Sequence, residues 1–333
     1  MTYSRTVTRR QAIDAKRRTQ KVRLLRFAVS LLLLLLAAIA AYLYSFYYTI
    51  KLTADRVYQP LDTSPTVRHN KMPILVNAKP ITILLFGVDQ RENDRGRSDT
   101  LLLAAVHPAK KTTLLVSIPR DTRTELVGRG TLDKINHAYA FGGTEMTINT
   151  VQAFLDISID YYVSVNMEGF EQLIDVLGGI EVQNQTAYQY WGYQFPVGTI
   201  HLDGERALAY ARMRYYDPAG DLGRNLRQQQ VIKAILDKAK MSLVTNNHEI
   251  LERIGASVKT NLHYEEWKEV IGRYRPAAEN VETDQLRGSG KVIDGIYYYI
   301  VTPEERARVH DRFEAFLLED TTERHWPLGG AVP

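Results

Sequence analysis

Three short apolar runs frame the chain: ITILLFGV (81–88), LLLAAV (101–106) and TLLVSI (113–118). Each has strand length, and with the turn HPAKK between the second and third they predict a hairpin beside a buried central strand. Downstream the period lengthens. KINHAYAFGG (134–143) and TEMTINTVQAFLD (144–156) predict two helices broken at Gly142–Gly143, YYVSVN (161–166) a strand, and MEGFEQLIDVLGG (167–179) a helix with a glycine stop. Residues 194–204, punctuated by Pro196, Gly198 and Gly204, read as a loop. ERALAYARMRYY (205–216) begins a helix that DPAGDLGR interrupts before NLRQQQVIKAILDKAK (225–240) resumes it. VETDQL, KVID and IYYYIV predict late strands, and PEERARVHDRFEAFLL (303–318) a final helix with Pro303 in its first turn. Strands alternating with helices predict an α/β fold, a single α-β-α sandwich whose central mixed sheet is covered on both faces.

Ahead of this pattern lies FAVSLLLLLLAAIAAYLYSFYY (27–48), 22 residues without a charge. About 20 apolar residues cross a bilayer as a helix, so the run predicts one transmembrane helix. The first 26 residues carry nine basic side chains against the single acid Asp14. By the positive-inside rule this holds the N-terminus in the cytoplasm and places everything beyond the span outside. Ala38-Ile39-Ala40 also fits a signal-peptidase site, but the apolar run continues past it and the basic region is long, which favours a retained signal anchor. The expected layout is a basic cytoplasmic leader at 1–26, the anchor at 27–48, a Pro-punctuated stalk at 49–79, an extracellular domain at 80–318 and a frayed tail at 319–333.

A sequence pI near 9 invites a nucleic-acid reading. The basic excess is local, however: residues 27–333 carry 33 basic and 37 acidic side chains. A nucleic-acid protein shows its basic footprint on the folded domain, so no nucleic-acid partner is expected. The absence of cysteine excludes disulfides and thiolate metal sites. There is no H-E-x-x-H and no G-x-S-x-G, and GSGK at 288–291 lacks the full phosphate-loop spacing. His137 reads as a helix residue near the site, and the sequon Asn184-Gln185-Thr186 is of a kind frequent by chance.

Candidate chemistry falls in two stretches. The first two apolar runs deliver Asp89 and Asp99 to loop positions among Arg97 and Arg120, a pairing that suits a divalent cation holding a phosphorylated substrate. Further on, Arg212 and Arg214 end one helical stretch and Arg224, Arg227 and Gln228 begin the next, with Asp217 and Asp221 in the gap. Guanidiniums clustered around a loop grip phosphate oxygens with paired hydrogen bonds. Taken alone, each stretch also reads as a solvated ion-paired face or an acidic turn; their joint occurrence favours phosphate.

In order along the chain, GVDQ, RSDTLLL, SIPRDT, KINHAYAFGG, VLGGIEV, LDGERALAYARMRY, DLGRNLRQQQ and TDQLRGSGKVIDGIYYY resemble the LytR-CpsA-Psr family of cell-wall enzymes, from about Pro80 to Leu318. The resemblance implies a membrane-anchored phosphotransferase. It would move a phosphorylated glycopolymer, such as wall teichoic acid or capsule, from a polyprenyl pyrophosphate carrier to a peptidoglycan sugar hydroxyl. Asp89 and Asp99 match the family's metal positions, for Mg²⁺ with Mn²⁺ as a substitute. Arg97, Arg120, Arg212, Arg214 and Gln228 match pyrophosphate positions; Arg224 and Arg227 lie close in sequence, and Lys134 of KINHAYAFGG joins the substrate-binding set. Arg120 and Arg212 would neutralise charge in the transition state, and Asp221 is the candidate base with Asp121 as runner-up. The resemblance also implies a lipid channel, to which the helix faces bearing Met146, Ile148, Val151, Phe154, Phe170, Leu173, Ile174 and Leu177 are candidate walls; apolar helical spacing alone favours ordinary core for most of them. The alternatives are a polyprenyl-pyrophosphate hydrolase using water, and a non-catalytic lipid-binding envelope regulator.

Overall fold

The computed structural model describes residues 3–61, 72–89, 95–214, 217, 220–242 and 258–318. The chain forms two compact units, Met1–Leu52 and Thr53–Pro333. Helix α1 (Tyr3–Val57) supplies the first and ends in the second, and its stretch Val29–Val57, which contains an 18-residue window of mean hydropathy 2.3, is long and apolar enough to cross a membrane. Leu31 to Leu36 are all exposed on it. The helix runs past Tyr48 into the segment expected to be irregular stalk, and Ala54 and Val57 are buried within the second unit. The rest of that segment includes a short helix, α2 (Met72–Val76); residues 62–71 and the tail at 319–333 lie outside the described residues.

The second unit is built on a six-stranded sheet. Its members are β1 (Ile81–Val88), β2 (Ser98–His107), β3 (Thr112–Ser117), β6 (Tyr161–Asn166), β11 (Val258–Thr260) and β12 (Asn280–Gln285), in the order β11-β6-β1-β2-β3-β12. Pairing is antiparallel between β1, β2 and β3 and parallel from β1 to β6 and from β3 to β12, so the sheet is mixed. Both faces are covered, which is why β1, β2 and β3 read as continuous apolar runs. Leu84, Phe86, Leu103 and Val116 pack on one side with the kinked helix α3 (His137–Leu155) and with the last helix, α8 (Pro303–Leu317). Leu85, Leu102, Ala104 and Leu115 face the other side, toward Ile232 of α6 (Gly220–Ser242). A smaller core joins α4 (Met167–Val176) and α5 (Gly204–Arg212) to the hairpin partners β7 (Ile180–Asn184) and β10 (Gly198–Leu202). Another gathers Leu75 of α2 and Trp267 of α7 (Tyr264–Arg273) around Ile81 and Tyr161.

Several expectations need correction. Asp99 lies within β2 and not in a loop, because a bulge at Gly87/Val88 extends pairing to Val88–Ser98. Lys134 ends a strand, β5 (Thr131–Lys134), paired with β4 (Arg123–Leu126), and α3 starts only at His137. The expected break within α3 falls at Gly142–Gly143, where Gly143 has φ +63°. The loop expected at 194–204 contains β10 and the end of β9 (Tyr193–Phe195), which pairs with β8 (Tyr188–Tyr190); its Pro and Gly residues mark turns between strands too short to show a period. Helix α6 begins at Gly220, so Asp221 and Arg224 belong to its first turns, where an acid is favoured by the helix dipole. The sequon is sealed: Asn184 is buried and its amide donates to the carbonyls of Thr186, Phe195 and Pro196.

The edge strand β12 is fastened to α8 by Asp284, whose side chain is 7% exposed and accepts from Arg308 (2.8 Å) and Arg312. Burial raises the Asp284 carboxyl, but hydrogen bonds from Arg308, the Gln285 N–H and Arg312 outweigh it and hold the group below the usual carboxylate range. The stabilisation is therefore present above the unfolded value near 3.9 and is lost as pH falls through the lower folded value. Arg308→Met should lower stability at pH 7 by about 2 kcal/mol and flatten the acid limb of denaturant unfolding measured from pH 7 to 3.

Candidate functional site

The end of β1 and the start of β2 lie side by side, and one carbonyl ties them: Arg97 O accepts from both the Asp89 N–H (3.0 Å) and the Asp99 N–H (3.1 Å). Beyond β3, Ile118 N–H donates to Leu101 O, which carries the sheet pairing up to Pro119 and aims Arg120 back at β2. Arg120 Nη1 sits 2.9 Å from Asp99 Oδ2, while Asn136 Nδ2 donates to Asp99 Oδ1 at 3.0 Å. Asp89 Oδ2 faces Arg212 Nη2 at 3.3 Å. Arg212 closes α5, where a cation meets the negative end of the helix, and its guanidinium lies 5.3 Å from the Trp191 ring.

Helix α6 supplies the rest. Arg224 and Gln228 are one turn apart on one face, and Val231, Ile232, Ile235 and Leu236 continue along it. All six line a cavity of about 450 Å³ that also takes in Asp89, Asp99, Arg120, Arg212 and Arg214, a size within the usual range for ligand pockets. From Arg224 to Ile235 the helix advances about 16 Å, so the cavity changes along its length from charged to apolar. Leu85, Leu102, Val163, Phe170, Leu173 and Leu208 complete the apolar walls. Only Phe170 and Leu173 of the eight expected wall residues line it. Ile148, Val151 and Phe154 belong to the core on the opposite face of the sheet, Ile174 to the core of α4 and α5, and Met146 and Leu177 do not line it.

The charged end carries a positive excess, four arginines against two aspartates. Arg224 is 5% exposed, its Nε has no hydrogen-bond partner among the described residues, and its ion pair with Asp221 Oδ1 spans 3.3 Å. Burial pushes its pKa down, and the nearby Arg120 adds to the fall. Buried guanidiniums set against each other are costly unless an anion joins them.

The remaining sequence candidates are placed outside the cavity. Arg97 is exposed and contributes its carbonyl. Lys134 Nζ lies 2.9 Å from Asp121 Oδ1, and Arg120 Nε lies 3.7 Å from Oδ2, so the runner-up base has a cation at each oxygen. Arg227 is turned into the α5–α6 junction, where it donates to the carbonyls of Tyr210 and Met213 and pairs with Asp217. Its placement is that of a latch, not of a ligand contact. His137 pairs with Asp133 at 2.9 Å. Sequence reasoning missed Asn136, although it sits in KINHAYAFGG, and Trp191, whose signal is the Trp191-Gly192 turn with positive φ at both residues.

Asp89, just past the end of β1, and Asp99 on β2 offer a cation hard oxygen donors, and among the described residues no group of three or more His, Cys, Asp or Glu forms a fuller set. Such a donor pair fits an ion that keeps waters and completes its shell with phosphate oxygens.

Sheet, helices and cavity together define an α/β domain with a cluster of arginines at the head of an apolar cavity. The sequence model of the LytR_cpsA_psr family matches residues 44–314. The polyisoprenyl-teichoic acid–peptidoglycan teichoic acid transferase TagU of Halalkalibacterium halodurans is 48% identical over 284 residues, 84% of this chain and 93% of that one. Among solved structures, Bacillus subtilis TagU is 40% identical with a TM-score of 0.59, covering 72% of this chain and 98% of its own. The LytR-CPS2A-psr family protein TagT, solved with bound octaprenyl pyrophosphate lipid, is 32% identical with a TM-score of 0.58, covering 72% and 90%. The chain belongs to the LytR_cpsA_psr family.

The two buried arginines of α6 should separate in stability measurements. Arg227→Met removes the guanidinium that joins Asp217 to the α5–α6 junction and should cost about 3–5 kcal/mol. Arg224→Met removes a buried cation whose desolvation is only partly offset and leaves Asp221, 27% exposed, to water, so its cost should be well below that of Arg227→Met. Denaturant unfolding of both variants checks this; equal losses would refute the distinction.

Proposed function

We propose that the chain is a membrane-anchored transferase that moves a phosphorylated glycopolymer from a polyprenyl pyrophosphate carrier to a sugar hydroxyl of peptidoglycan. One observation carries the reading: a single cavity joins a cationic end to an apolar tunnel, matching a ligand that is a diphosphate at one end and a hydrocarbon at the other. The relatives support it, since TagU is a teichoic acid transferase to peptidoglycan and TagT holds octaprenyl pyrophosphate. The basic leader and the apolar helix support an anchor with its N-terminus in the cytoplasm and the folded unit outside.

In this reading Arg120, Arg212, Arg214 and Arg224 grip the diphosphate, and Gln228 marks the passage to the tail. The acceptor oxygen bonds to the phosphorus bearing the glycopolymer as the bond from that phosphorus to the bridging oxygen breaks. Polyprenyl phosphate leaves with the electron pair. The acceptor's proton passes to Asp221, whose ion pair uses Oδ1 and leaves its second oxygen without an ion-pair partner among the described residues. Guanidiniums fixed in place stabilise the dispersed charge without reorganising. Asp89 and Asp99 would hold Mg²⁺, which when bound neutralises diphosphate charge. Both carboxylates face arginines, so without donor the ion binds weakly.

The test is product analysis with lipid donor, with and without a glycan oligosaccharide. Polymer joined to glycan supports transfer; free phosphorylated polymer in either arm indicates hydrolysis. Asp221→Asn should lower turnover about 100-fold with donor affinity unchanged, and parallel losses would reduce Asp221 to a structural role. Full activity of Asp99→Ala would favour a binding protein. Calorimetric Mg²⁺ titration should show binding only once polyprenyl pyrophosphate is present; tight binding without it would contradict the arginine-held state of Asp89 and Asp99.

A further inference from the structure

Next to the lipid cavity is a second cleft of about 390 Å³, lined among others by Asp121, Asp221, Gly288, Gly290, Tyr297 and Tyr299. The two spaces share no lining residue, yet adjoining residues line them. Arg120 lines the first and Asp121 the second; Arg224 lines the first and its ion-pair partner Asp221 the second.

The far wall is the hairpin of β13 (Ser289–Ile293) and β14 (Ile296–Ile300). Tyr297 and Tyr299 are two residues apart on β14 and so point to one face, and Gly290 lies opposite Tyr299 on that face. A Cβ on Gly290 would come within 2.7 Å of the Tyr297 ring, and one on Gly288 within 2.8 Å of the Tyr299 ring. Glycine at both positions lets the rings lie back against the strand. The hairpin is pinned to the site by its backbone, Tyr299 N–H donating to Asp121 O at 2.8 Å. Tyr297 remains 45% exposed, leaving its ring open to the cleft. Burial raises its phenol pKa, and Asp221 and Asp121 raise it further, so the hydroxyl stays a donor.

The lining has two carboxylates and no lysine or arginine among the described residues, which disfavours a phosphate. Carboxylates accept hydrogen bonds from hydroxyls, and an open aromatic ring offers an apolar, π-faced platform with a polar tip. A neutral, hydroxyl-rich ligand with an apolar face meets these conditions, which describes a sugar. We propose that this cleft is the acceptor subsite, in which a peptidoglycan saccharide stacks on Tyr297 and presents its hydroxyl to Asp221 at the partition between the two spaces. The proposal rests on the transferase reading above and adds to it the place and the residue that select the acceptor.

The test uses the full chain in detergent, a polyprenyl-pyrophosphate-linked disaccharide as donor and uncrosslinked peptidoglycan oligosaccharides as acceptor. Tyr297→Ala should raise the acceptor KM about tenfold, near 1.4 kcal/mol, with donor KM and thermal unfolding unchanged, and Tyr297→Trp should restore most of it. A shift in donor KM alone, or no shift in either, overturns the proposal. Saturation-transfer NMR with the same oligosaccharides, without donor, reads the cleft separately. A saccharide signal that vanishes in Tyr297→Ala and persists in Tyr297→Trp supports the proposal even if no transfer is seen, and no signal with the wild type overturns it. Failure of the chain to bind polyprenyl pyrophosphate counts against the transferase reading and not against the cleft.

Discussion

Arg224 and Arg120 line one cavity as like charges, the first buried and the second largely so, and the carboxylates of the site are set around them. Three carboxylates stand near Arg224, namely Asp221, Asp99 and Asp121, but two of them are shared with Arg120, which leaves the positive potential only partly quenched. A fold tolerates such an arrangement when its neighbours are rigid enough to hold it. Here they are the ends of three paired strands and the first turns of a long helix, all anchored in packed cores.

Helix α6 carries the cavity from charge to hydrocarbon. Its cavity face begins with a guanidinium, passes through an amide and continues as aliphatic side chains, so one element carries the change from charged to apolar along the cavity. The opposite commitment of Arg227 matters as much. By joining Tyr210, Met213 and Asp217 it fixes the angle at which α6 leaves α5, and hence where Arg224 points. Neighbouring arginines in one motif are thus placed for unlike work, one lining the cavity and the other bracing the helix that carries it.

Much of this was legible in the sequence, and the boundary follows physical lines. Strands covered on both faces write themselves as apolar runs, so β1, β2, β3 and β6 could be read directly, as could the membrane-length helix. Ordered motifs disclosed the family, and arginine clustering the charged end of the cavity. What escaped depends on contacts between distant segments. The strands β8, β9 and β10 are three to five residues long and set among Gly and Pro. The tunnel walls come from β1, β2, β6, α4, α5 and α6 together, and apolar spacing on α3 looks the same whether it faces a lipid or, as with Val151 and Phe154, the core. Which of Arg224 and Arg227 turns inward depends on helix phase against a partner, a matter no local pattern records.

The head-to-tail order along α6 bears on what happens after the bond is made. Under the transferase reading, the leaving lipid keeps its whole hydrocarbon tail and one phosphate, and therefore most of its hold on the tunnel and on the arginines. On that reading spent and fresh carrier would compete for one seat, and release of the used chain would set the pace of the cycle.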